Sequence, residues 1–295
     1  MATDYQLTTT DPGDSGPTRD IDVVRVDTEA TGSRPDCVAV EEPLEIRLAY
    51  HFLNRRARRS VAVTMRTPGC DRELAAGFLY GEGILSHRAD IDGFQRIDDD
   101  GEPTDAPGNI VQISVGPGVD VDMKSIQRNF YTTSSCGVCG KASLQALEID
   151  DGTDLTDDDT TFDAHTIAEL PDRLRDGQSI FEATGGIHAA GLFDDDGRLL
   201  DLCEDVGRHN AMDKLVGTRL WAEELPATGC AAVLSGRASF ELLQKALRAR
   251  IPVVVAVGAP SSLAVDLAHH FGITLVGFAR RNRFNIYSHQ SRIIS

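Results

Sequence analysis

Residues 231–278 read AAVLSGRASFELLQKALRARIPVVVAVGAPSSLAVDLAHHFGITLVGF, and this stretch decides the fold. Short apolar runs at 231–234, 252–257 and 274–278 predict buried strands, and the segments 239–250 and 261–271 between them predict helices. Strands and helices that alternate at this interval imply parallel strands joined by right-handed crossovers. The sequence therefore predicts an α/β protein with a layered sheet and helices.

The chain before this stretch predicts two further parts. Residues 1–35 are rich in Thr, Asp, Gly and Pro and predict a disordered acidic tail with one strand at 21–26. Residues 36–123 predict a smaller N-terminal α+β domain, and residues 124–295 form the larger α/β domain. Within the smaller domain we expect a hairpin of strands 42–48 and 60–65, a strand at 109–115, and a helix over 71–79 that Asp71 caps.

Composition excludes several classes of function. The chain has 295 residues and a net charge of −17, which argues against a nucleic acid partner. It has no long apolar stretch and no basic start followed by apolar residues, so we expect neither a membrane span nor a secretory signal, and a cytoplasmic location. An acidic surface with few lysines suggests a salt-adapted organism, because salt screens the repulsion.

The sequence Tyr131-Thr-Thr-Ser-Ser-Cys-Gly-Val-Cys-Gly-Lys141 contains the only C-x-x-C of the chain and is the candidate reaction centre. Small residues and glycines around Cys136 and Cys139 predict an exposed turn, and a helix is expected to start near Gly140. Helix N–H groups and Lys141 would stabilise a thiolate, which is the nucleophile of sulfur chemistry. Three alternatives stay open: a zinc site completed by His188 or His209, a thioredoxin-like redox pair, and a structural disulfide.

Two other segments predict an anion site. Arg237 lies where a buried strand gives way to a helix, a position at which backbone N–H groups bind anions, although an ordinary cap by Ser239 is the alternative. Residues 278–284 place three arginines directly after a strand in an acidic chain, where a counterion to the acidic surface is the alternative. Residues 204–214 gather carboxylates, Arg208, His209 and a lysine around a turn and a helix start. His188 alone would be interpreted as structural.

Taken together, these motifs resemble the formate dehydrogenase accessory sulfurtransferases, the FdhD family. The resemblance runs in order from about Glu41 to Ile293 and is carried by these segments: Glu42-Pro-Leu44, Met65-Arg-Thr-Pro-Gly69, Gly77-Phe-Leu79 with Glu82-Gly83, Ser135-Cys-Gly-Val-Cys-Gly140, Thr184-Gly-Gly186 with His188-Ala-Ala190, Glu204-Asp-Val-Gly-Arg-His209, Ser235-Gly-Arg-Ala-Ser239 and Leu275-Val-Gly-Phe278.

The resemblance implies a sulfurtransferase that accepts sulfur from a cysteine desulfurase as a cysteine persulfide. It passes the sulfur to the molybdenum or tungsten bis(guanine dinucleotide) pterin cofactor that formate dehydrogenase needs. The persulfide is expected on Cys136, with Cys139 assisting. The cofactor-binding residues are expected to be Phe278, Ala279, Arg280, Arg281, Asn282, Arg283, Arg237, Arg208 and His209.

The resemblance also implies a fold like that of the cytidine deaminases, a homodimer and no bound metal. Zinc deaminases use H-x-E followed by P-C-x-x-C. Here Ser135 replaces the proline and His188 follows the cysteines without the glutamate, which argues against deamination. A carrier or chaperone of the cofactor, with dispensable cysteines, is the other alternative. We expect Arg208, His209, Arg237 and Arg283 to line a positive pocket with Cys136 at its mouth.

Overall fold

The structure is a computed structural model that describes residues 16–28, 31–52, 55–98, 100–106, 108–119, 121 and 154–295. Cys136, Cys139 and the predicted domain boundary near residue 123 lie outside the described residues.

The described chain begins with an antiparallel hairpin of β1 (Thr18–Val26) and β2 (Thr31–Ala39). The predicted strand at 21–26 is part of β1, but β2 was not expected. The structure therefore differs from the tail predicted over 1–35, since residues 18–26 and 31–35 belong to strands. Strand β2 was not predicted because it contains Gly32 and Pro35, and both residue types are uncommon in strands.

A five-stranded sheet follows, with the order β4-β3-β7-β5-β6. The predicted hairpin is confirmed as β3 (Glu42–Phe52) and β4 (Arg55–Arg66), and the predicted third strand as β7 (Ile110–Val115). The other two strands are β5 (Ile91–Ile97) and β6 (Pro103–Thr104). Strand β3 alternates, so that Leu44, Ile46 and Leu48 face the core.

The helix α1 (Asp71–Gly81) connects β4 to β5. The prediction that Asp71 caps it is wrong, because the cap position is Cys70, in a left-handed conformation with φ 56°. Asp71 instead pairs with the fully buried Arg66, whose Nε lies 2.8 Å from Oδ1. A buried carboxylate that neutralises a buried guanidinium stabilises the turn at 66–71 that leads into α1.

The second half of the chain contains these further elements in order: β8 (Phe162–Asp163), α2 (Ala164–Asp176), α3 (Ser179–Thr184), β9 (His188–Phe193), β10 (Leu199–Asp205), α4 (Arg208–Trp221), β11 (Ala231–Leu234), α5 (Phe240–Arg248), β12 (Val253–Ala256), α6 (Ser262–Phe271), β13 (Thr274–Arg280), β14 (Arg283–Ile286) and β15 (Ile293–Ile294). Strands β8 and β15 pair with each other. None of the described helices is long and apolar enough to cross a membrane.

A six-stranded sheet organises this half, with the order β10-β9-β11-β12-β13-β14. Strands β11, β12 and β13 are parallel, as the apolar runs predicted, whereas β10, β9 and β14 pair antiparallel to their neighbours. Every residue of β11 and β12 is buried, which explains their continuous apolar sequences. The fold is therefore mixed α/β, with a largely parallel centre in this sheet.

The two sheets share one continuous hydrophobic core, in which Leu44 and Leu48 of the first half join Leu192 and Leu234 of the second. Helices α1 and α4 cross at this junction. A Cβ atom on Gly217 would lie 1.9 Å from the carbonyl oxygen of Glu73, and one on Gly77 would lie 1.8 Å from that of Asp213. Glycine at both positions therefore allows the helix backbones to touch.

Candidate functional site

The predicted anion-binding segments meet at one edge of the six-stranded sheet. Parallel β11, β12 and β13 end there, and the loops that follow are joined by backbone hydrogen bonds: Gly258 N donates to Gly236 O at 2.9 Å, and Phe278 N donates to Gly258 O at 3.0 Å. Because β9 runs antiparallel to β11, its first residue, His188, lies at the same edge. So does Asp205, which pairs with His188 at the end of β10.

The segments that begin at Gly236 and Phe278 therefore lie close together, on either side of Gly258. Arg237 follows β11, and its Cγ would be only 3.0 Å from a Cβ placed on Gly258. Ligands of open α/β sheets bind at such an edge, outside the carboxyl ends of the strands. We call this edge, with Arg208, His209, Arg237 and residues 278–283, the arginine edge.

The segment 278–283 is not a loop after the strand, as predicted, but the tip of a β-hairpin. Strand β13 continues to Arg280, which pairs with Arg283 of β14, and the register shifts between Gly277 and Arg280. Phe278 lies in this irregular part with φ 52° and a side chain that is 43% exposed, whereas Ala279 is fully buried. The register shift thus turns the phenyl ring outward at the edge.

The charged side chains of this hairpin tip are exposed. Arg280, Arg281, Asn282 and Arg283 all face solvent. Arg281 Nε lies 3.8 Å from Asp172 Oδ2 of α2, a pair between two exposed side chains that contributes little stability. The guanidinium groups therefore remain available for an anionic ligand.

Arg208 and His209 occupy the first turn of α4, directly after β10. The Nε atom of Arg208 is shielded from solvent and has no acceptor among the described residues. A shielded donor without an acceptor costs roughly 1–3 kcal/mol. The guanidinium also lies near both histidines, because its positive charge contributes to lowering the pKa of each.

His209 is a neutral hydrogen-bonding group at this edge. Burial, reinforced by the positive charges of Arg208 and Lys245, lowers its pKa from 6.5 to about 4. Its Nε2 lies 3.2 Å from Ser239 Oγ and 3.8 Å from Glu241 Oε2. Burial and then Arg208 also lower the pKa of His188. Neutral imidazoles can both donate and accept hydrogen bonds without adding charge.

Several of the charged side chains at 204–214 have structural roles. The carboxylate of Glu204 accepts from the backbone N of Ile180 and of Phe181, both at 2.9 Å, at the start of α3. Asp205 is fully buried and forms an ion pair of 2.7 Å with Lys214. Glu204, Asp205 and Lys214 therefore support the site rather than line it.

Asp205 also ties the two halves of the chain together beside Arg208. It accepts from Thr67 N at 3.1 Å, from Gly207 N at 2.8 Å and from Asn210 Nδ2 at 3.0 Å. Thr67 Oγ1 in turn accepts from Val206 N at 3.2 Å. The sequence analysis missed Thr67 and Asn210, since no local pattern reveals partners that lie more than 130 positions away.

Three of the four cysteines in the described ranges, Cys70, Cys203 and Cys230, are poor nucleophiles. Burial raises the pKa of Cys70, of Cys230 and of Cys203, the last to about 12. Thiols with raised pKa values form little thiolate at neutral pH. Cys136 and Cys139 lie outside the described residues, so their predicted place at the mouth of the arginine edge stays a prediction. The same holds for a zinc site that would use them; no group of three potential metal ligands occurs within the described ranges.

Comparison with known proteins identifies the family. The profile of the FdhD/NarQ family matches residues 39–294. The chain belongs to this family. It is similar to the sulfur carrier protein FdhD of Streptomyces coelicolor, with 47% identity over 274 residues that cover 92% of this chain and 94% of the relative. The FdhD of Mycobacterium tuberculosis is also 47% identical, over 88% of this chain and 93% of its own.

A solved structure supports the fold. The chain resembles a Desulfotalea psychrophila protein assigned as a formate dehydrogenase accessory protein, with a TM-score of 0.70. The match covers 94% of this chain and 99% of the other at 24% identity. At that identity the similarity establishes a shared mixed α/β fold. The family resemblance seen in the motifs is thus confirmed by the family profile and by the sequence relatives.

Proposed function

We propose that this FdhD/NarQ family member is a sulfurtransferase that carries sulfur from a cysteine desulfurase to the bis(guanine dinucleotide) cofactor of formate dehydrogenase, which holds molybdenum or tungsten. Its relatives are named sulfur carrier proteins, which supports a role in sulfur transfer. The observation that supports cofactor binding is the arginine edge, which includes the shielded and unpartnered Arg208 Nε.

The sulfur chemistry rests on the C-x-x-C sequence. The Cys136 thiolate attacks the outer sulfur of a persulfide on the desulfurase, whose own cysteine leaves as a thiolate, so no net oxidation occurs. Release of that sulfur as sulfide requires two electrons. Attack of Cys139 on Cys136 supplies them, because it forms a disulfide that a cellular thiol later reduces. The raised pKa values of Cys70, Cys203 and Cys230 support this choice of cysteines.

The arginine edge would hold the dinucleotide. A guanine dinucleotide carries a pyrophosphate, and guanidinium groups bind phosphate oxygens in a bidentate manner. Arg208, Arg237 and Arg283 lie on the segments that follow β10, β11 and β13 at this edge, and they are three positive charges on a protein of net charge −17. Phe278, exposed at the hairpin tip, offers an aromatic face on which a base can stack.

Binding of GDP, a fragment of the cofactor, tests this assignment. We expect Arg208→Ala and Arg283→Ala each to weaken GDP binding about tenfold, as the loss of a charge-assisted hydrogen bond predicts. The control is Arg25→Ala, which removes the same charge from an exposed position of β1 outside the arginine edge. This variant should bind GDP with unchanged affinity. If all three variants bound GDP with the affinity of the unchanged protein, the arginine edge would be excluded as the cofactor site.

The variant Cys136→Ala distinguishes a sulfurtransferase from a protein that only carries the cofactor. We expect this variant to bind GDP normally and to lose sulfur transfer. Sulfur transfer that survives in Cys136→Ala would instead identify a carrier or chaperone of the cofactor. The cytidine deaminase-like fold, the homodimer, the cytoplasmic location and the salt adaptation stay predictions.

A further inference from the structure

The β3–β4 hairpin bears a cluster of positive charge that the proposed function does not use. Arg55, Arg56, Arg58 and Arg59 occupy the start of β4, and all four side chains are exposed. None of them lies within 4.0 Å of a carboxylate in the part of the chain that the structure describes. The chain has a net charge of −17, so four exposed arginines within five residues form a local region of positive charge.

Part of this cluster belongs to a longer stripe on one face of the sheet. The partners of Arg56, Arg58, Ser60, Val63 and Met65 on β3 are His51, Ala49, Arg47, Glu45 and Pro43. These partners alternate along β3, so they share one face, and cross-strand partners lie on the same face. The core residues Leu44, Ile46 and Leu48 occupy the opposite face. We call the five β4 residues the outer stripe.

A β-bulge keeps the outer stripe continuous. The register shifts between Ile46 and Arg47, so that Val61 is an extra residue of β4, and both Val61 and Ala62 are buried. Without the extra residue, Val63 and Met65 would turn into the core, because a shift of one residue exchanges the faces of a strand. Instead Val63 is 66% and Met65 47% exposed.

The outer stripe therefore has two different ends. Arg56 and Arg58 form a basic end, at which Arg56 Nη2 also donates to Ser114 Oγ at 3.3 Å. Val63 and Met65 form an apolar end, next to the Glu45–Arg47 ion pair of 2.9 Å. The distance from Arg56 to Met65 is about 30 Å at the usual rise of a strand.

The position of β4 favours an extended partner. It is the outermost strand of the five-stranded sheet among the described elements, so an added strand could pair with its backbone. The apolar end also adjoins the arginine edge, since Met65 O accepts from Asn210 Nδ2 at 2.7 Å in the first turn of α4. A segment on the outer stripe would thus end beside Arg208.

We propose that the outer stripe docks an extended segment of a partner protein that carries acidic residues at one end and apolar residues at the other. The acidic end of the partner segment would bind Arg56 and Arg58, because the charges are complementary. Its apolar end would pack against the exposed Val63 and Met65. A nucleic acid fits less well, because its uniform phosphates match neither the apolar end nor the acidic remainder of the surface. Charged residues can also protect an edge strand from aggregation, but exposed valine and methionine would work against such protection.

The probe is a fluorescein-labelled peptide of about ten residues, the number that spans the stripe, with glutamates in one half and valine and leucine in the other. It is made in both orders of the halves, and a third peptide has lysine in place of glutamate. We expect one of the two acidic peptides to bind by fluorescence anisotropy and the lysine peptide not to bind. Affinity should fall between about 0.1 M and about 1 M salt, as screening of the ion pairs requires.

Matched variants locate the binding. Arg56→Glu with Arg58→Glu should weaken the acidic peptide about five- to twentyfold, because two ion pairs are lost. Arg19→Glu with Arg25→Glu makes the same change of charge on exposed positions of β1 and should have no effect. Val63→Ser should weaken binding several-fold, whereas Val24→Ser, at a valine that is 68% exposed, should not.

Hydrogen exchange provides an independent readout, since an added strand should protect the amides of residues 55–66. Absence of binding by both acidic peptides would overturn the proposal and leave the arginines as edge protection. Equal losses in the two double variants would also overturn it. A single-stranded oligonucleotide that bound more tightly through Arg56 and Arg58 would assign the stripe to nucleic acid instead. GDP binding and sulfur transfer take no part in this test.

Discussion

Removal of the Asp205 carboxylate should be among the most damaging single changes in the described chain. Asp205→Ala leaves the Lys214 ammonium, which is 3% exposed, without its counterion at 2.7 Å. Breaking a buried pair by removing one partner costs about 3–5 kcal/mol. Lys214 Nζ retains the Thr67 carbonyl at 2.8 Å and the Glu204 carbonyl at 3.4 Å, which reduces the cost of its unpaired charge. Thr67 N, Gly207 N and Asn210 Nδ2 also lose their acceptor, so we expect a loss of at least about 3 kcal/mol.

Urea denaturation measures this loss as a change in the free energy of unfolding, and urea leaves ionic strength unchanged. A protein of ordinary stability, about 5–15 kcal/mol, should still fold after a loss of about 3 kcal/mol. Asp205→Ala combined with Lys214→Met removes both charges, so we expect the double variant to recover the part of the loss that comes from the unpaired ammonium, but not the part that comes from Thr67 N, Gly207 N and Asn210 Nδ2. The control is Glu224→Ala, which breaks a partly exposed pair with Arg219 and should cost at most about 1 kcal/mol.

The reasoning would be refuted if Asp205→Ala cost less than about 1 kcal/mol, the range of an exposed pair. It would also be refuted if the double variant were as unstable as the sum of the single variants. Because Asp205 also accepts from Gly207 N, directly before Arg208, Asp205→Ala should weaken GDP binding as well.

Three further predictions follow from individual contacts. Gly217→Ala should destabilise the protein by about 1–3 kcal/mol or more in thermal unfolding, because its Cβ would meet the Glu73 carbonyl, whereas Gly93→Ala, with nothing within 4 Å, should not. His209 should titrate near pH 4 by NMR, and since its pKa is depressed from 6.5, the stability that it contributes should be present above pH 6.5 and decline as the pH falls towards 4; a titration near 6.5 would contradict its buried setting. Glu204→Ala should cost about 0.5–2 kcal/mol by removing the acceptor for Ile180 N and Phe181 N, and an unchanged stability would show that α3 needs no cap.

The sequence predicted best where a local pattern carries the signal. The short apolar runs of β11, β12 and β13, which alternate with helical segments, favour buried parallel strands, and the rule for parallel sheets then places Arg237 and the 278–283 segment at one edge. The hairpin β3–β4 was recognisable from its alternation. These features need no information about distant contacts.

The remaining features depend on contacts between distant residues. Strands β9 and β10 were not predicted, because the pairing of β10 with β9 and of β9 with β11 is a tertiary property. In the sequence, the charged residues at 204–214 form one dense cluster. In the structure these residues have different roles, because Asp205 and Lys214 form hydrogen bonds with the backbone of Thr67. The hairpin at 278–283 depends on a register shift between β13 and β14 that the local sequence does not predict.

The most direct test of sulfur transfer is mass spectrometry of the protein after incubation with a cysteine desulfurase and cysteine. The account predicts one added sulfur on the peptide 131–141, located on Cys136 and absent from Cys136→Ala. It also predicts that Cys70, Cys203 and Cys230 stay unmodified, since burial raises their pKa values. Sulfur found on Cys70 instead, or sulfur loading that persists in Cys136→Ala and is lost in Cys139→Ala, would contradict the account.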